Sequence, residues 1–228
     1  MSPSLSDLFV LSLLGLYCQQ TALAGVIIGG TRIIYDASKK ESSLSIKNPE
    51  KKSPFLIQSW FEKHPDTPGD SIPFIITPPL FRLDAGKENI LRIVRTGGNL
   101  PEDRESIYLA NIKSIPASQD TNQNRLIISV KTQIKLIYRP EILKPDADQA
   151  HKQLVFAYHN GQLSIKNPTA YYVSFHRLLV DNLPINDLLM VAPQSSINVP
   201  LKTDKASTVT WQAINDYGGV TEAQTIHL

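Results

Sequence analysis

Leu44-Ser45-Ile46-Lys47-Asn48-Pro49 returns unchanged as Leu163-Ser164-Ile165-Lys166-Asn167-Pro168. Each copy reads as a short β-strand with Leu and Ile on one face and Ser and Lys on the other, the period-two pattern of a strand with one buried side. Proline cannot donate to a β ladder, so Asn-Pro ends both strands. The repeat points to one kind of domain used twice, with the hexapeptide as the second strand of each copy.

Outward from the repeat, nearly every apolar cluster is short, rich in Ile, Val, Leu and aromatics, and bounded by Pro, Gly, Asn or Asp. Before the middle of the chain the candidate strands are Val26 to Tyr35, Leu44 to Asn48, Phe55 to Phe61, Phe74 to Thr77, Ile90 to Arg95, Ile107 to Ile115 and Arg125 to Tyr138. After it they are Leu154 to Tyr158, Leu163 to Asn167, Tyr172 to Val180, Leu188 to Val191, Ser196 to Val199, Thr208 to Ile214 and Thr225 to Leu228. The segment Pro140 to Ala150 between the sets carries two prolines and four charges and reads as an exposed linker. Two sets of short strands with regular turn signals predict two immunoglobulin-like sandwiches. Outside the N-terminus no segment has sustained helical periodicity.

The N-terminus reads as an export signal over residues 1–24: an apolar stretch from Leu8 to Tyr17, polar residues, then Ala22-Leu23-Ala24 as an A-x-A cleavage site. Its first residues lack Lys and Arg, a departure from the usual pattern, and the apolar run is too short for a membrane span. Cys18, the single cysteine, falls inside this leader, so the exported chain is expected to fold by burial alone, without disulfides. A formal charge of +2 over 228 residues gives no reason to expect a nucleic-acid partner.

Arg125 to Tyr138 stands out among the strands because it runs for fourteen residues, where about five or six are usual. Its even positions are Leu126, Ile128, Val130, Thr132, Ile134, Leu136 and Tyr138, and its odd ones include Ser129, Lys131, Gln133 and Lys135. It could be an ordinary interior strand with one wet face. At a sheet edge it would instead offer unpaired backbone groups and a row of apolar side chains, an aggregation hazard that a partner strand could exploit.

The sequence resembles the periplasmic pilus chaperones of the chaperone-usher pathway over nearly the whole exported chain. The segments that carry the likeness are Thr31-Arg32-Ile33-Ile34-Tyr35, Thr77-Pro78-Pro79-Leu80-Phe81-Arg82-Leu83, Leu100-Pro101-Glu102-Asp103-Arg104-Glu105-Ser106 and Thr132 to Pro140. In the second half they are Asn167-Pro168-Thr169 with Tyr171-Tyr172, and Ile214-Asn215-Asp216-Tyr217-Gly218-Gly219. Each motif is weak alone, and six in order are specific. A short segment, Ala117 to Asn124, before the long strand resembles the short-loop branch that assembles rod-like adhesive pili.

The resemblance implies an all-β protein with two immunoglobulin-like β-sandwich domains in a boomerang arrangement: a signal peptide at 1–24, an N-terminal domain at 25–144 and a C-terminal domain at 145–228. It implies that Arg32 and Lys135 hold the C-terminal carboxylate of a pilus subunit, for which an Arg fork and a Lys ammonium are suited. Leu126, Ile128 and Val130 would then be lent to the subunit as a donor strand. Glu105, Arg139 and Asp216 would form a charge cluster fixing the domains, of the modest energy of exposed ion pairs. The expected partners are pilus subunits and an outer-membrane usher, the expected address is the periplasm, and the exposed edge would also permit self-association. No cofactor is implied, and the chain is not expected to be integral to a membrane.

Other readings are weaker. The histidines lack zinc-ligand spacing, and Gly29-Gly30, Gly97-Gly98 and Gly218-Gly219 lack the setting of a nucleotide or nucleophile motif and read as turns, so no catalytic or metal residue is assigned. A pilus subunit or adhesin, or a glycan-binding sandwich using Trp60 and Trp211, would be the alternatives. Both tryptophans lie at core-compatible strand positions.

Overall fold

The computed structural model describes residues 25–67, 71–117, 126–143, 146–186, 190–203 and 205–228. The export signal at 1–24, Arg125 and nearly all of the short loop before the long strand lie outside the described residues.

The first half folds as two facing sheets. One has the order β1 (Ile27–Ile28), β3 (Ser42–Lys47), β7 (Glu88–Arg95), β5 (Phe74–Thr77). The other has the order β2 (Arg32–Asp36), β9 (Val130–Arg139), β8 (Ser106–Pro116), β4 (Phe55–Lys63), β6 (Leu80–Leu83). Ile33, Tyr35, Ile46, Ile57, Leu91, Ile112 and Leu136 are among the residues that close the core between them. Tyr35, Phe74, Tyr108 and Tyr138 add edge-on and tilted ring contacts at centroid distances of 5.1 to 6.1 Å, a spacing typical of aromatic pairs.

The second half repeats the plan. A sheet of β10 (Val155–His159), β11 (Gln162–Asn167) and β15 (Ser195–Pro200) faces one built on β12 (Val173–Val180), β16 (Thr208–Ala213) and β17 (Gln224–His227), with the short β13 (Leu183–Pro184) and β14 (Met190–Val191) also paired to β12. Leu163, Ile165, Leu178, Val191, Val209 and Trp211 fill its separate core. The repeated hexapeptide occupies β3 and β11, and in both copies Leu and Ile are buried and Lys is exposed. Both asparagines are fully buried. Asn48 donates to the carbonyls of Ser53 and Leu83 and accepts from the Glu50 amide. Asn167 donates to Tyr171, Val191 and Ala192 and accepts from the Thr169 amide. Each ends its strand and ties it across the sandwich, a use that the Asn-Pro signal alone does not reveal.

Several expectations are revised. Val26 to Tyr35 is two strands, because the chain leaves one sheet at Gly29-Gly30 and enters the other at Arg32. Gly29 allows the crossing to run close, since a Cβ there would lie 2.1 Å from Ser45 Oγ. This glycine pair is thus a sheet switch and not a hairpin turn. The long strand begins at Val130, and Leu126 to Ser129 precede it unpaired. The linker is partly built into the second domain: helix α1 (Ala147–Ala150) buries Ala150, and Leu143 packs on the second core. Trp211 is buried, but Trp60 lies half-buried on the outer face of β4, because strand alternation places it with Leu56, Gln58 and Glu62 and opposite Ile57, Ser59 and Phe61. Among the described residues no helix is long and apolar enough to cross a membrane.

Candidate functional site

The unusual feature of the first domain is the margin of β9. Along one side it pairs with β8 from Val130 to Tyr138. Along the other it pairs with β2 only from Lys135 to Arg139, in parallel. The switch at Gly29-Gly30 has drawn the preceding chain, β1, into the opposite sheet, so among the described residues Val130 to Ile134 have no strand on that side. Leu126, Ile128 and Val130 are 87%, 66% and 48% exposed. They share sequence parity with Ile134, Leu136 and Tyr138, which are buried in the core. The apolar row of the core therefore runs out past the sheet. β9 is thus an interior strand over its last half and an edge over its first.

Two cations meet where the edge changes to interior. Arg32, the first residue of β2, is the register partner of Lys135, and on a parallel ladder partners project to the same face. Burial lowers the pKa of both, and for Lys135 the neighbouring Arg32 charge lowers it further. Arg32 Nη1 donates to the carbonyl of Ile214 in the second domain at 3.1 Å. Its Nε is buried without a hydrogen-bond partner. Among the described residues the Lys135 side chain has no ion pair or hydrogen-bond partner; its resolved electrostatic neighbours are Arg32 and His64. Two adjacent, partly desolvated cations with spare donors have the chemistry to hold an anion, and a carboxylate could accept from both.

A third group joins the domains. Arg139 donates from Nε to Glu105 at 2.8 Å and from both terminal nitrogens to Asp216 at 2.7 and 3.0 Å. The second Glu105 oxygen accepts from the Tyr172 amide at 2.8 Å, and the Glu105 amide donates to the Ala170 carbonyl. The Arg139 guanidinium also sits 5.4 Å from the centre of the Tyr171 ring. Burial pushes the Glu105 carboxyl up to about 7, against the pull of Arg139 and the Tyr172 amide. The two carboxylates raise the pKa of Arg139 and outweigh its own desolvation. The energy expected for exposed pairs does not apply, because Glu105 is 3% exposed. Its side chain is walled in by the second domain, an event that no local sequence pattern encodes.

The structure thus brings Arg32 to Lys135 and Glu105 to Arg139 and Asp216. Leu126, Ile128 and Val130 stand free beside them. The sequence reading did not assign the backbone groups at the joint, the Ile214 carbonyl and the Tyr172 amide, which have no side-chain signature.

Models of known families match the chain in two adjoining pieces: the pili and flagellar-assembly chaperone, PapD N-terminal domain, over residues 25–144, and the pili assembly chaperone PapD, C-terminal domain, over residues 149–225. The chain is similar to a probable fimbrial chaperone, LpfB, of Escherichia coli O157:H7, with 42% identity over 95% of each chain. It is also similar to a chain in the structure of the Salmonella enterica SafA pilin in complex with the SafB chaperone, with a TM-score of 0.81, 34% identity, and coverage of 92% of this chain and 99% of that one. The E. coli chaperone DraB gives a TM-score of 0.79 at 33% identity, covering 90% and 98%.

Proposed function

The chain belongs to the PapD-type pili assembly chaperones, and from that premise we propose that it captures a pilus subunit in the periplasm by lending it the free margin of β9. The observation that carries this reading is the coincidence of the unpaired edge with the Arg32 and Lys135 pair at its inner end. A subunit carboxylate bound there would end a guest strand running alongside Leu126 to Ile134. That strand would lie parallel to β9 and in line with β2, which starts at the same rung. Leu126, Ile128 and Val130 would fill the apolar gap of the subunit, which would thereby be folded and capped until an outer-membrane usher receives it. Residues 25–144 and 145–228 act as the two domains after removal of the 1–24 leader, and the Glu105, Arg139 and Asp216 cluster holds their relative orientation. In the absence of subunit the same edge can pair with a second copy.

Co-expression with subunits from a matching pilus system tests this. The native chain should yield a soluble one-to-one complex, and Arg32→Ala and Lys135→Ala should fold yet lose it. Capture at native yield by both variants would overturn the carboxylate assignment.

A further inference from the structure

The half of β9 that has lost a neighbour is tied down from its other side. Among the described residues, 130 to 134 have a neighbouring strand on one side only, β8, and a strand end paired on one side is prone to fraying. On the outer face, one rung places Trp60 of β4, Asn111 of β8 and Gln133 of β9 side by side. The adjoining rung places Glu62, Leu109, Lys135 and Arg32 in line.

Glu62 is the centre of this face. Its carboxylate accepts from Trp60 Nε1 at 2.9 Å, from Lys131 Nζ at 3.1 and 3.3 Å and from Gln133 Nε2 at 3.2 Å. Gln133 Nε2 also reaches Asn111 Oδ1 at 2.8 Å, and the Lys131 ammonium sits 5.2 Å from the centre of the Trp60 ring. The Glu62 pKa is lowered, first by the Trp60 bond and then by Lys131. One side chain on β4 thus reaches across β8 and holds two residues of β9. Both held residues, Lys131 and Gln133, lie in the unpartnered half and alternate with Val130 and Thr132. The same contacts turn Glu62 toward Lys131 and away from Lys135, the cation on its own rung.

We propose that Glu62 is a positioning residue for strand donation: it clamps the free half of β9 into the sheet from the solvent face and keeps its own charge off Lys135. The inference rests on the donor-edge reading above for its effect on capture, but not for its effect on the strand. A strand held extended loses less freedom when a guest pairs with it, so capture is faster than on a frayed edge.

The test is amide hydrogen exchange and subunit capture by the full chain, comparing Glu62→Ala, Glu62→Gln and the double variant Lys131→Ala with Gln133→Ala. Glu62→Ala should raise exchange of the β8-bonded amides in residues 130–133 by about fivefold or more, leave exchange in the second domain unchanged, and slow capture several-fold. Glu62→Gln, which retains an acceptor for Trp60 and Gln133, should fall between. The double variant leaves β4 intact and should reproduce the Glu62→Ala result, which guards against a folding defect in β4. Unchanged exchange at 130–133 in both Glu62→Ala and the double variant overturns the clamp, and faster exchange with undiminished capture overturns its role in donation. Arg32→Ala should abolish capture with no change in exchange at 130–133. If Arg32→Ala captures normally, the carboxylate reading fails while the exchange result still decides the clamp.

Discussion

Replacing Arg139 with Ala removes the cation that is hydrogen-bonded to Glu105 at the domain joint. The substitution deletes a 2.8 Å bond to Glu105 and a two-pronged contact with Asp216. Asp216 keeps some access to water, with 26% of its side chain exposed, whereas the Glu105 side chain has 1%. Breaking a buried pair by removing one partner destabilises by about 3 to 5 kcal/mol when the remaining charge is trapped. The trapped group can escape by taking a proton. In the native protein the Glu105 carboxyl titrates at about 7, above its ordinary 4.5, so its protonated form stabilises the fold at low pH and that contribution fades as pH rises through 7. Without Arg139 the folded pKa moves higher still, and the native and variant curves separate above pH 7. The separation grows by about 1.4 kcal/mol per pH unit, so Arg139→Ala should be about 2 kcal/mol worse relative to native at pH 8.5 than at pH 5.5. Urea unfolding followed by tryptophan fluorescence, from Trp60 in the first domain and Trp211 in the second, at the two pH values measures this. A deficit that is equal at both, or below about 1 kcal/mol at pH 8.5, would refute the picture of a desolvated carboxylate held by Arg139.

Two further outcomes follow from the geometry. Ile128→Asp alters a largely exposed side chain of the free protein, so its unfolding free energy should stay within the range of a surface change, about 0.5 kcal/mol. Subunit affinity should fall by about 10- to 100-fold, the equivalent of the roughly 1.5 to 3 kcal/mol gained by burying one large aliphatic group; an unchanged affinity in a binding titration would remove Ile128 from the donor strand. Asn48→Ala and Asn167→Ala both strand buried polar partners, at about 1 to 3 kcal/mol for each group left unmatched. Asn167 serves more partners than Asn48, so calorimetry should show the larger loss for Asn167→Ala, and the reverse order would mean that the two copies of the repeat are not used alike.

What the sequence revealed and what it hid have physical causes. Period-two alternation placed most strands within a residue or two, because in a sandwich each strand faces one core, and Leu44, Ile46, Leu163 and Ile165 record that directly. The same rule misled at Val26 to Tyr35, since alternation carries no information about which sheet a strand joins. Gly29-Gly30 marked a break without saying that the two halves part company. The fourteen-residue pattern from Arg125 was continuous in hydrophobicity, but hydrophobicity does not distinguish a paired strand from an extended segment, and pairing begins at Val130. Ile137 shows the converse: it lies on the odd-numbered face yet is 2% exposed, on the face where Arg139 meets the second domain. Contacts between domains are invisible to local pattern, and for that reason Glu105 taken alone reads as a surface charge, and only the family likeness places it in a cluster between the domains.

The placement of the cation pair explains why the site would select a chain end. A guest strand running parallel to β9 advances toward Lys135 in line with β2, and the next place along that line is already taken by Arg32 and the chain that leads into it. Thr31 is backed by the second-domain loop, where a Cβ on Gly218 would lie 2.5 Å from the Thr31 hydroxyl, so the lane has no room to continue. An internal segment would have to turn out of the sheet at this point and leave both cations unmatched, whereas on the proposed reading a terminal carboxylate would stop there and accept from both. A shift by one residue would then either collide with β2 or pull the carboxylate off Lys135, and it would also point every guest side chain to the opposite face. Register on the proposed reading is therefore set by where β2 begins, which is set in turn by the glycine pair that sends β1 to the other sheet.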